Sequence, residues 1–257
     1  MRSRLNLRRC TSPCSVILFR TVLFVAGNHE AYHSSWRETL DVLHAFQEES
    51  NARKDESQGE LGEFILLDRG LWRLPDSNIV ILGCSLFSYV PPESKEAAST
   101  GLKDFNHTEK WDVDAHNEMH KRDLSWLNAQ VADLEASDVK IIIFSHWSPT
   151  VDARAMDPRH VGSRITTAFS TDLSKEKCFK SGRVKLWAFG HTHYNCDFIA
   201  ERGADAGPLR LVTNQRGYFG QSEGFDSAKT VEVCEVVTTP CPPENRGKTW
   251  KNWLRFI

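Results

Sequence analysis

Three apolar, β-forming runs in this chain each stop at a histidine-bearing loop, and that recurrence constrains the fold more than any other feature. Thr21-Val22-Leu23-Phe24-Val25 runs into Gly27-Asn28-His29-Glu30. Lys140-Ile141-Ile142-Ile143-Phe144 runs into Ser145-His146, and Val184 to Phe189 into Gly190-His191-Thr192-His193. Short runs of this kind, bounded by glycine or polar residues, read as buried strands. Helical patterns lie between them. Trp36, Leu40, Leu43 and Phe46 recur at helical spacing, as do Leu124, Leu127, Val131 and Leu134 within Asp112 to Glu135. Strands alternating with helices predict an α/β fold, and open α/β sheets collect ligands at the carboxyl ends of their strands.

Phe64–Leu67, Asn78–Cys84, Leu209–Thr213 and Thr230–Val237 read as further strands, and residues 47–63 and 85–110 as loops. Trp36, Trp126 and Trp187 fall on apolar faces and are expected in the core. Residues 1–20 carry five arginines and no acid, and read as a basic leader outside the fold with the composition of a targeting segment. Residues 21–239 form the expected domain, and 240–257 a proline-rich, then basic aromatic tail. The net charge of −2 gives no global reason for a nucleic-acid or membrane partner. No apolar stretch approaches the ~20 residues of a spanning helix. The seven cysteines are scattered without a C-x-x-C pair, which suits reduced, packed thiols and a cytoplasmic protein.

Neutral imidazoles and a carboxamide oxygen suit zinc, manganese or iron. In His191-Thr192-His193, strand-like alternation is expected to send both rings toward neighbouring points, as a dinuclear centre needs. Singly, each signal has a blander reading: Asn28 as a helix cap, His146 as a hydrogen-bonded structural histidine, His-x-His as coincidence. Together, each on a strand exit, they read as a metal centre.

These segments resemble the calcineurin-like metallophosphoesterase superfamily, whose later motifs are G-N-H-[DE], a strand followed by His, and G-H-x-H. Asn214-Gln215-Arg216-Gly217-Tyr218 also resembles a segment that follows the last motif in many members, so the resemblance spans about residues 21–218. It implies a four-layer α/β/β/α sandwich and a hydrolase that cleaves phosphate esters with a hydroxide bridging two metal ions (Mn, Fe, Zn or Mg). By this resemblance Asn28, His146 and His191 match ligands of one metal and His193 a ligand of the other. His29 matches the histidine that protonates the leaving group, and Glu30 would orient the loop. Arg154, Arg159, Arg164 and Arg216 are expected to face solvent; Arg216, in its matched segment, is the best placed to reach substrate. Ala26 stands where the Ser/Thr phosphatase branch usually has arginine, which points to the broader branches and leaves a phosphorylated small molecule or protein as substrate.

Two earlier family motifs, Asp-x-His and Gly-Asp, are not visible, and 26 residues precede Gly27. A strand–helix–strand unit needs on the order of 30 residues, so the bridging carboxylate and the first strands are expected to be missing. Asp114-Ala115-His116 fits Asp-x-His in letters but lies in a helix-patterned stretch, with His116 and His120 expected on a solvated face. Asp104 and Asp112 have no better support as substitutes. Two expectations follow: an N-terminally incomplete version of an active enzyme, or a weak or inactive relative acting as a binding module. A cupin-like mononuclear protein is a third reading; it is disfavoured by the interrupting helices and by Asp197 where cupins usually carry glutamate.

Overall fold

Thr21–Phe24 (β1) and Glu63–Leu66 (β2) pair in parallel as a two-stranded sheet in this computed structural model. The structure describes residues 16, 18–203, 206–218 and 223–232, and the backbone of 253–255. Six further strands form the main sheet: Gly70–Arg73 (β3), Ile79–Cys84 (β4), Lys140–Ser145 (β5), Val184–Ala188 (β6), Asp197–Ala200 (β7) and Leu209–Val212 (β8). Their spatial order is β3-β4-β5-β6-β8-β7. The inner strands β4, β5, β6 and β8 run parallel, and the two edges are antiparallel. Thr230–Glu232 (β9) pairs with the backbone of Trp253–Arg255 (β10).

Every residue of β4 is buried, because a parallel strand in the middle of a sheet is covered on both faces. Its alternate residues divide between two cores, as the two-residue period requires. Ile79 and Ile81 face the small sheet, in a cluster with Ile142, Leu186 and Val212 and with Leu23, Val25 and Ile65. Val80 and Leu82 face the other way, with Ile141, Ile143, Trp187 and Leu211. Helix α1 (Trp36–Glu56) covers the outer side of the small sheet, where Trp36 and Leu43 pack with Phe64 and Leu66. Two short helices, α2 (Lys95–Gly101) and α3 (Asp104–His107), precede α4 (Val113–Leu134), whose Leu127, Val131 and Leu134 cover the far side of the main sheet. The layers therefore run α/β/β/α. Among the described residues, no helix is long and apolar enough to cross a membrane.

The structure corrects several sequence expectations. Helix α1 continues to Glu56, through part of the stretch read as a loop. It buries little there, but the side-chain oxygens of Gln47 and Asn51 accept from the backbone of Leu66 and Phe64 at 2.6 and 3.1 Å, tying its second half to β2. Glu49 and Arg53 add an i,i+4 pair. Residues 85–110 hold α2 and α3, because Pro92 opens a helical turn at a position that needs no N–H. Strands β3 and β7 and the helix Lys177–Lys180 (α5) carry no clear pattern in the sequence. Most of the leader and tail, and residues 233–237 of the last expected strand, lie outside the described residues. The described cysteines, Cys84, Cys178 and Cys196, are free thiols.

His116 and His120 are buried rather than solvated. They belong to one stripe of α4 with Val113, Asp123, Leu127, Val131 and Leu134. The stripe's polar half serves the irregular segment after β4, where Leu86 and Phe87 have positive φ. His116 Nε2 accepts from Ser88 N at 3.3 Å. His120 Nδ1 lies 3.1 Å from the carbonyls of both Leu86 and Phe87. Asn117 bonds Val90 N and O, and Asp123 accepts from Leu86 N while pairing with Arg69. A loop of buried unpaired backbone would be costly, so polar side chains take helix positions that periodicity alone would give to apolar ones.

Burial, and then the neighbouring His120, push His116 from the ordinary 6.5 down to about 3; burial also lowers His120. The unfolded chain binds these protons more readily. Their contribution to stability is therefore intact above pH 6.5 and declines as the pH falls toward 3, by at most about 1.4 kcal/mol per unit for each group. Asp123, raised by burial from 3.8 to about 6, opposes this between those values, but one carboxyl is set against two imidazoles. The urea midpoint at pH 5 is expected below that at pH 7.5; equal midpoints would contradict the assignment.

Candidate metal centre

Three strand exits are stitched together by backbone groups with the side chains of Glu30 and Ser85. β1 leaves through Ala26 and Gly27 into the short turn Asn28–Ala31, closed by Glu30 Oε2, which accepts from Gly27 N at 2.7 Å. β5 leaves at Ser145 into His146, and β6 leaves through Gly190 into His191. Ser85, just after β4, donates its hydroxyl to Ala26 O at 2.7 Å, and its carbonyl oxygen accepts from His146 N at 3.1 Å. Gly190 N then donates to His146 O at 2.9 Å. Gly27 is required for this closeness, since a Cβ there would stand 2.5 Å from His146 Cε1.

Asn28, His146 and His191 come together. Asn28 Oδ1 lies 3.0 Å from His146 Nε2, which lies 3.2 Å from His191 Nδ1. Metal–nitrogen bonds of about 2.0–2.1 Å, set at octahedral or tetrahedral angles, separate neighbouring ligand atoms by about 2.9–3.4 Å. Both separations therefore fit neighbouring ligands of one ion, with His146 Nε2 between the other two atoms. His191 is held between Trp147 and Phe169, with ring centroids at 4.7 and 4.9 Å. Its other nitrogen, Nε2, is buried with no partner. Burial, with the nearby His29 and His193, pushes His146 down to about 3, and burial with His146 takes His191 well below its ordinary value. Both rings are thus neutral near pH 7, the form that offers a lone pair to a cation.

His193 and His29 lie at the exposed side. His193 and Tyr218 meet edge to face at 4.7 Å, and the Tyr218 hydroxyl is 3.2 Å from His29 Nε2. His29 also stacks on Tyr32 at 4.6 Å. The loop is not extended as the alternation argument requires, because His191 and His193 have φ of 66° and 51°. One ring therefore turns inward and the other outward. Gln215 braces the turn, accepting from His193 N and donating to Thr192 Oγ1 and Tyr194 O. Arg216 is exposed, and Arg154 and Arg159 pair with Asp152 and Asp157.

Among the described residues, no group of three or more His, Cys, Asp or Glu side chains gathers around one point. Asp114 pairs with Lys95 at the surface, and Asp112 caps α4 through Ala115 N. Asp104 is buried against Asn28 and Tyr32. Tyr218, Tyr32, Gln215, Trp147, Phe169 and Ser85 also escaped the sequence reading. Gln215 and Tyr218 had a signal, the matched segment 214–218 that holds both.

The family model for calcineurin-like phosphoesterases matches residues 9–195. It begins inside the arginine-rich stretch and takes in all three strand exits. The chain is also similar to an uncharacterized protein of Acanthamoeba polyphaga mimivirus, at 23% identity over 230 residues that span 86% of this chain and 76% of the viral protein. With most of its length matched by the family model, and with the layered α/β sandwich in place, the chain belongs to the calcineurin-like phosphoesterase family.

Proposed function

We propose that this chain is a metal-dependent hydrolase of phosphate esters, acting on a phosphorylated small molecule or protein. The observation that carries the reading is the convergence of Asn28 Oδ1, His146 Nε2 and His191 Nδ1 at 3.0 and 3.2 Å. The family generally uses a dinuclear centre. Here the three converging atoms suit one divalent ion, and His193 is the described side chain placed to serve a second. A bound ion supplies a Lewis acid for the phosphoryl oxygen and an acidified water as nucleophile. The chain's own residues do the rest. Glu30 fixes the turn that presents Asn28 and His29. His29, exposed and linked to the Tyr218 hydroxyl, protonates the departing alkoxide.

The test is to strip the purified chain of metal, reload it with Mn²⁺, Zn²⁺, Fe²⁺ or Mg²⁺, and follow hydrolysis of p-nitrophenyl phosphate and bis-p-nitrophenyl phosphate. Metal-dependent turnover is expected; a folded chain that takes up no metal would refute the reading. His29→Asn is expected to cut turnover of an alkyl phosphate by about 10²–10⁴-fold. Turnover of a nitrophenyl ester should fall far less, because nitrophenolate leaves without a proton. Equal losses on both would remove the acid role.

A second reading, a binding module that keeps the fold without turnover, draws on the lack of a carboxylate among the converging groups in the described residues. Tight metal uptake without hydrolysis of either ester would favour it.

A further inference from the structure

Asp104 belongs to none of the motifs that mark the site, yet it is buried beside it. It opens the four-residue helix α3, 76 residues from Asn28 in sequence. Its Oδ1 accepts from Asn28 Nδ2 at 2.8 Å and from the Tyr32 hydroxyl. The helix is held from both sides. His33 N donates to His107 O at 2.7 Å, and Leu102 and Phe105 pack with Val90, Ala98 and Val113.

A carboxamide is nearly symmetric in shape but not in chemistry. Turned by 180°, Asn28 would aim an N–H₂ group at His146, and that group has no lone pair for a cation. A carboxylate oxygen can only accept, so Asp104 admits only the amide nitrogen on its side, and the Asn28 oxygen must face His146. We propose that Asp104 is a positioning residue that locks the Asn28 carboxamide with its oxygen toward the metal site; this rests on the metal-centre reading above. It does for an asparagine ligand what a carboxylate partner does for a metal-bound histidine.

Because both donors meet one oxygen, Asp104→Asn keeps an acceptor where it is needed, with its carbonyl in place of Oδ1. Asp104→Ala removes the acceptor. Asp104→Glu keeps the charge but moves it by a methylene. The test is titration of the metal-free protein and these variants with Co²⁺, following the cobalt absorption bands, with unfolding of each metal-free form as the check on folding. Asp104→Ala and Asp104→Glu are expected to bind about 10–100-fold more weakly than the unsubstituted chain, and Asp104→Asn close to it. If Asp104→Ala does not fold, the order of Asn over Glu carries the test alone. Asp104→Glu holding affinity while Asp104→Asn loses it, or all variants binding like the unsubstituted chain, would overturn the proposal. If the unsubstituted chain itself takes up no Co²⁺, the metal-centre reading fails and takes this one with it.

Discussion

His146→Ala is expected to abolish metal uptake and to lower phosphoester turnover by roughly a thousandfold or more, about 4 kcal/mol of lost transition-state stabilisation. The reason is its place among the converging atoms. His146 Nε2 is within 3.2 Å of both Asn28 Oδ1 and His191 Nδ1 and so joins the other two. Two of three ligands cannot hold an ion that wants about four. The fold should survive. The half-buried ring leaves a polar space beside Gly27, and its backbone bonds to Ser85 and Gly190 do not depend on the side chain. Circular dichroism and a metal assay on the same sample separate the two effects. Retained uptake would place the metal elsewhere in the molecule.

Trp187→Ala is expected to cost about 3–5 kcal/mol of stability, lowering the thermal midpoint by on the order of 10 °C in a chain of this size. Trp187 is fully buried on β6, within the core that α4 covers. Its indole Nε1 donates to Ser145 Oγ at 2.9 Å, and that hydroxyl in turn donates to Trp147 O. The substitution thus opens a cavity and frees the residue just before His146. Trp187→Phe keeps most of the burial but loses the hydrogen bond and part of the ring volume, a cost of about 1–2 kcal/mol. Differential scanning calorimetry of both checks the ranking. A midpoint unchanged in Trp187→Ala would mean that the main-sheet core is not packed as described.

The parallel strands were legible because burial on both faces leaves continuous apolar runs such as Ile141-Ile142-Ile143, and their ends could be placed to within a residue or two. Edge strands were not: β3 alternates half-buried and exposed residues over only four positions, too short a pattern to stand out. The candidate ligands Asn28, His146, His191 and His193 sat in recognisable motifs at those strand ends. Their partners did not. Asp104 reaches Asn28 across 76 residues and Tyr218 reaches His29 across 189, and nothing local encodes such a meeting. His116 and His120 misled for a related reason. Periodicity assigns polar residues to the outside of a helix, whereas the backbone of residues 86–88 demanded hydrogen-bond partners inside.

His191 and His193 both sit in the left-handed backbone region, which a side chain with a Cβ enters at roughly 1–2 kcal/mol apiece. Glycine at the exposed His193 would relieve that burden and remove the imidazole in the same step, whereas at His191 it would also empty the buried space beside Trp147 and Phe169. At His193 the turn is therefore held in opposition to drift: a substitution that eases the backbone also takes away the ring proposed to serve a second ion. A lineage that no longer used the outer ring would gain by losing it, while the inner one would stay as packing.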